Sequence, residues 1–122
     1  MVEPTIPAVE RSRDPRALIT RQLADATALL ETLNSQRAGI VAASLESNAD
    51  DEHDPEGATI GFERAQLDAT IHSTTEHIEQ LRLALTRIDL GTYGICEVCG
   101  EPIPDARLEV RPAATRCVRH AT

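Results

Sequence analysis

Two long stretches of this chain repeat apolar residues in alternating steps of three and four, and each stretch opens on Asp-Pro. A chain so patterned has few ways to bury its hydrophobic side chains. The first seam runs Ile19, Leu23, Ala26, Leu30, Leu33, Arg37 and Ile40, with Leu18, Leu29, Val41 and Leu45 widening the stripe. The second runs Ile60, Arg64, Leu67, Ile71, Thr74, Ile78, Leu81, Leu85 and Ile88. Asp14 and Asp54 can each cap a helix through the carboxylate, while Pro15 and Pro55 suit the first helical position, where no amide donor is needed. The first pattern fades at Ser47-Asn48; the second ends at Leu90, and Gly91 supplies a left-handed stop. The polar, acidic segment from Asn48 to Gly57 lacks a hydrophobic anchor and reads as a turn. Two helices of roughly 33 to 36 residues, each about 50 Å long and joined by so short a turn, must run antiparallel. Leucine and isoleucine at this spacing are explained by packing alone, and Arg37 and Arg64 are expected to snorkel or to pair with acids across the seam.

Composition supports an elongated or metal-stapled architecture. Only 2% of the 122 residues are aromatic, which leaves few large side chains to fill a wide core. Residues 1–13, with Pro4 and Pro7 and no apolar periodicity, read as a flexible arm. The expected organisation is this arm, a hairpin over 14–90 with an acidic tip at 49–57, and a small terminal module over 91–122. Prolines and charges stand where a signal peptide needs a continuous apolar run, and no segment approaches membrane-spanning length, so the cytoplasm is the expected compartment. With 20 acidic against 12 basic residues the net charge is -8, so the chain lacks the overall positive surface on which affinity for DNA or RNA depends. A role in nucleic-acid biology would therefore run through a protein partner, and a basic pocket or channel on that partner would attract this surface.

The terminal module carries all three cysteines. Cys96 and Cys99 bracket a CxxC turn, in which two thiolates can converge on one ion while knuckle amides hydrogen-bond to sulfur. Gly100 is placed to close that turn. After 17 intervening residues come Cys117 and His120, again two apart. This double spacing is what a tetrahedral zinc ion requires, and Cys3His is an accepted structural set with no open position for a water nucleophile. A redox-active CxxC would need a thioredoxin-like pattern that is missing here. His77-Ile78-Glu79 with the CxxC is a poor match to zinc deaminases: Ile95 stands where their proline should be, and Cys117 and His120 would have no task. His53, His72 and His77 are isolated and expected to face solvent. Large apolar residues around the site are few, so metal binding must supply much of the folding energy; Pro112 is expected to open a short C-terminal helix carrying Cys117 toward His120. The fold class expected is all-α dominated: a long antiparallel helical hairpin followed by a small zinc finger with a short helix.

The terminal residues resemble the DksA/TraR family of RNA polymerase-binding factors. The resemblance rests on Gly91-Thr92-Tyr93-Gly94, Cys96-Glu97-Val98-Cys99, Ile103, Arg107-Leu108, Pro112 and Cys117, and the hairpin extends it over about residues 15–120. Where the family ends on a fourth cysteine, this chain has His120. The resemblance implies a bacterial, non-enzymatic, monomeric transcription regulator with one structural zinc. It would bind RNA polymerase through the secondary channel without reading promoter sequence, with ppGpp as a further ligand at the polymerase interface. The family's tip motif is Asp-x-x-Asp-x-Ala. Asp51 and Asp54 match the aspartates, Glu56 replaces the alanine, and Ala58 follows two residues later. Arg107, matching a family arginine, is expected to hold the finger against the hairpin base. A reading from a different class stays open: a zinc-stapled coiled-coil adaptor whose acidic turn is inert and whose partner is not polymerase.

Overall fold

The computed structural model describes residues 14–50 and 55–121. Two 36-residue helices, α1 (Pro15–Asp50) and α2 (Pro55–Leu90), are followed by a short α3 (Asp105–Val110) and a 3-10 turn at Val118–His120. The second long helix keeps the expected bounds, while the first runs slightly further than its hydrophobic pattern suggests. α1 continues through Asn48 to Asp50, so only residues 51–54 lie between the helices. Asparagine is a weak breaker whose intrinsic preference is easily overridden by the bonds of a continuing helix.

The ends of the helices follow local chemistry. The Asp14 carboxylate accepts from the amides of Arg16 (3.1 Å) and Ala17 (3.3 Å), satisfying donors that the first turn cannot pair internally. At the other end of the pair, Gly91 adopts φ 79°. Its amide donates to Ile88 (3.2 Å) and that of Thr92 to Arg87 (2.9 Å), the two bonds that close a helix over a left-handed residue.

The chain forms two compact units, residues up to Ala24 with Glu79 onward, and Asp25–Ile78. In the first, Ile19, Leu81 and Ala84 have no exposed surface, and Leu23, Leu85, Ile88, Tyr93 and Ala113 pack around them. Arg16 Nη2 meets Asp89 Oδ1 at 2.6 Å, pairing the beginning of α1 with the end of α2. In the second unit Ala26, Leu33, Thr74 and Ile78 are buried, and Arg37 Nε donates to the Asp68 carboxylate. Both ion pairs require antiparallel helices. Every seam position named above is buried or half-buried, the arginines included. His72 and His77 are exposed, and His72 lies 3.2 Å from Glu76 one turn on; His53 lies outside the described residues.

Arg37 and Asp68 keep 38% and 45% of their side-chain surface, so the pair is screened by water. Arg37→Ala is expected to cost no more than about 1 kcal/mol, with the loss shrinking at high salt. Urea denaturation at two ionic strengths checks this. A loss that survives high salt would mean that the aliphatic stem, rather than the charge, matters.

Candidate metal centre

After Gly91 the chain doubles back through two knuckles. Gly100, at φ 76°, allows its own amide to return to the Cys96 carbonyl (2.9 Å), while the Val98 amide points at Cys96 Sγ (3.4 Å). The Cys96 amide donates to Glu101 (2.9 Å) and that of Ile103 to Gly94 (2.7 Å), with a single bridge between Ile95 and Pro102. The second knuckle is tied to the first by the Glu97 amide on the Thr115 carbonyl (2.9 Å) and by Arg116 Nε on Glu97 Oε2 (2.8 Å). Ile103 is buried with Cys96 and Cys117, and Leu108 packs against them.

The donor atoms of Cys96, Cys99, Cys117 and His120 all lie within 4.8 Å of one another. Cys99 Sγ is 3.9 Å from Cys117 Sγ, and His120 Nδ1 is 3.3 Å from Cys117 Sγ and 3.7 Å from Cys96 Sγ. Zn–S bonds of about 2.3 Å and Zn–N bonds of about 2.0 Å at tetrahedral angles demand roughly 3.8 Å between sulfurs and 3.5 Å between sulfur and nitrogen. The observed separations match, and the donor set suits one structural zinc. Cys96 and Cys117 are buried and Cys99 lies at the surface.

The four donors differ in how readily they give up their protons. Burial pushes the Cys96 thiol up, but the backbone amides of Cys117, Cys99 and Val98 outweigh it and bring the pKa down to about 5. Burial raises Cys117 most, but the hydrogen bonds from His120, the Arg119 backbone and Cys99 together outweigh it, for a net decrease. His120 is raised by its hydrogen bonds to Cys117 and then Cys96. Cys99 is lowered by the Glu101 backbone, yet burial and the neighbouring sulfurs carry it above its ordinary value. Zinc must therefore displace the Cys99 proton at neutral pH. Zinc and protons compete for the same lone pairs, so affinity falls on acidification, by about tenfold per pH unit for each proton displaced. Competition with a chromophoric chelator across the neutral range measures this; a flat profile would show that the thiolates are already bare.

Two local expectations need correction. Pro112 does not open a helix: α3 begins at Asp105, directly after Pro104, and Cys117 is extended, followed only by the 3-10 turn. Pro112 is instead buried and its carbonyl accepts from Tyr93 Oη (2.7 Å), a long-range bond with no sequence signature. Burial raises the Tyr93 pKa, against the nearby Arg87 charge. Arg107 does not brace the hairpin base either. Its Nε donates to the Arg116 carbonyl (2.9 Å), inside the finger, just before Cys117. Arg87 of α2 is the arginine that reaches from the hairpin, to the Ala113 carbonyl (3.4 Å). Asp51 and Asp54 lie outside the described residues; Glu56 falls in the first turn of α2.

Residues 91–119 match the family described as the prokaryotic dksA/traR C4-type zinc finger. Protein TraR of Escherichia coli (strain K12) is 37% identical over 51 residues, which cover 38% of this chain and 70% of TraR. The chain belongs to the DksA/TraR family. The RNA polymerase-binding transcription factor DksA of Caulobacter vibrioides (strain NA1000 / CB15N) is 54% identical over 41 residues, 34% of this chain and 29% of that factor. The solved structure of transcription factor DksA2 from Pseudomonas aeruginosa matches with a TM-score of 0.73 at 25% identity, covering 90% of this chain and 80% of that one. The chain spans about a third of the length of the first curated relatives it matches. The fold is thus shared with a protein described as a transcription factor. The DksA/TraR match stops one residue short of His120, so the fourth donor is identified by its position beside Cys117 and Cys96. Among the described residues no helix is long and apolar enough to cross a membrane.

Proposed function

We propose that this DksA/TraR-family chain is a transcription regulator that binds RNA polymerase directly, through the secondary channel, and modulates initiation without reading promoter sequence. The observation that supports this most is the structural likeness to DksA2 over 90% of the chain, which extends the family resemblance from the finger to the hairpin. In this reading residues 14–90 form the arm, with its tip at 49–57, and residues 91–122 form the finger. Cys96, Cys99, Cys117 and His120 hold the zinc. Asp51 and Asp54 act at the tip, beside Glu56 in the place of the family alanine. A net charge of -8 suits a basic channel, whose attraction weakens as salt rises. The role of the metal is structural. Four protein donors leave no open coordination position at which a substrate or water could react.

The test is capture of core RNA polymerase by the zinc-loaded wild type and by the Asp51→Ala/Asp54→Ala variant, followed by an initiation assay with and without ppGpp. We expect both proteins to be retained and only the wild type to change initiation. Equal effects of the two on initiation would remove the tip from the mechanism. Failure of the wild type to bind polymerase would sink the transcription reading and leave the adaptor.

A further inference from the structure

Each knuckle of the metal centre contributes two donors, Cys96 with Cys99 and Cys117 with His120, and 17 residues of chain separate the pairs. A local turn holds the donors within each pair. Three bonds that cross between the knuckles meet at Glu97. Its amide donates to the Thr115 carbonyl (2.9 Å), and its Oε2 accepts from Thr115 Oγ1 (3.3 Å) and from Arg116 Nε (2.8 Å). Glu97 directly follows Cys96, and Arg116 directly precedes Cys117, so these bonds tie together the neighbours of the two buried cysteines. Arg116 is a firm anchor, because its carbonyl is held at the same time by Arg107 Nε (2.9 Å).

This pairing of donors bears on how the site comes apart. Loss of a single donor leaves three on the ion, whereas a second knuckle that swings away removes Cys117 and His120 together and leaves only two. We propose that Glu97 is a positioning residue for the metal: through Thr115 and Arg116 it docks the second knuckle on the first and so slows the release of zinc. Glu97 is not itself one of the four donors. Groups bonded directly to a zinc ligand are worth about 10- to 100-fold in affinity. Glu97 acts one residue away, and the side chains of Arg116 and Glu97 keep 42% and 53% of their surface, so water screens the pair. Its loss should therefore speed release by about three- to fivefold. The proposal stands independently of the polymerase reading, since it concerns only the finger.

The zinc-loaded full chain, Glu97→Ala, Glu97→Gln, Arg116→Ala and Glu97→Ala/Arg116→Ala are each mixed with excess chromophoric chelator, and first-order zinc release is followed. Glu101→Ala is the control: it removes a carboxylate from beside the first knuckle, but one that takes no part in the bonds between the knuckles. Charge-transfer absorption of the Co2+-loaded forms establishes that the same three thiolates are bound in each. We expect Glu97→Ala to release zinc about three- to fivefold faster, and Glu97→Gln, which keeps an acceptor oxygen without the charge, to fall between it and the wild type. The double variant should be no faster than the faster single one. High salt should speed release from the wild type and leave Glu97→Ala unchanged, a response that packing alone would not give. A wild-type rate in Glu97→Ala overturns the proposal, as do two effects that multiply in the double variant or an equal acceleration in Glu101→Ala. If Glu97→Ala takes up no zinc, Glu97→Gln carries the test, and a wild-type rate there overturns it.

Discussion

Cys117→Ala is expected to release zinc and to leave residues 91–121 without a fixed conformation, while α1 and α2 keep most of their helical signal. Cys117 is buried with Cys96 and Ile103, sits 3.9 Å from Cys99 Sγ and 3.3 Å from His120 Nδ1, and is the one donor that the second knuckle contributes from the interior. Losing a group that merely hydrogen-bonds a zinc ligand costs about 10- to 100-fold in affinity, and losing a ligand costs more. In a module with so small an apolar cluster, binding energy is folding energy. Metal analysis should therefore fall from one equivalent to almost none, and chelation of the wild type should give the same spectrum as the variant. His120→Cys serves as the contrast. A fourth thiolate is an equally accepted donor, so zinc should be retained. Retention of full zinc by Cys117→Ala would show that the ion is held elsewhere.

Leu81→Ala is the second large effect. Leu81 has no exposed surface and belongs to the cluster with Ile19 and Ala84, around which Tyr93 and Ala113 of the finger also pack. Truncation removes three buried carbons and opens a cavity that two rigid helices can only partly close, at a cost of about 2–5 kcal/mol. Leu90→Ala, by comparison, should change stability by no more than about 0.5 kcal/mol, since Leu90 is 70% exposed. Urea denaturation distinguishes the two directly: the midpoint should move for Leu81 and hardly for Leu90, with the slope unchanged in both. Similar small shifts for both would mean that Ile19 and Ala84 close over the space.

The metal centre was legible in the sequence because the knuckles are local. CxxC and CxxH spacing reports on turns of a few residues, and Gly100 marks the closing of the first. What joins the knuckles was not legible. The bonds from Glu97 to Thr115 and Arg116, from Arg107 to Arg116 and from Tyr93 to Pro112 join residues 9 to 19 positions apart whose types carry no pairing signal. Pro112 illustrates the difficulty: proline suits the start of a helix, but its carbonyl is equally available as a buried acceptor, and only the position of Tyr93 selects the second use.

The sequence by itself determined the helical seams, the Asp14 cap, the Gly91 stop and the four zinc donors, because each depends on periodicity or on neighbours within a few residues. Tertiary structure alone decided that Arg37 meets Asp68 and that Ala84, beside the seam, is fully buried. It also decided that Arg87, rather than Arg107, reaches from α2 to the finger. These depend on the register of α1 against α2 and on how residues after Gly91 turn back. Both are set by summed packing and metal geometry rather than by any one residue's preference.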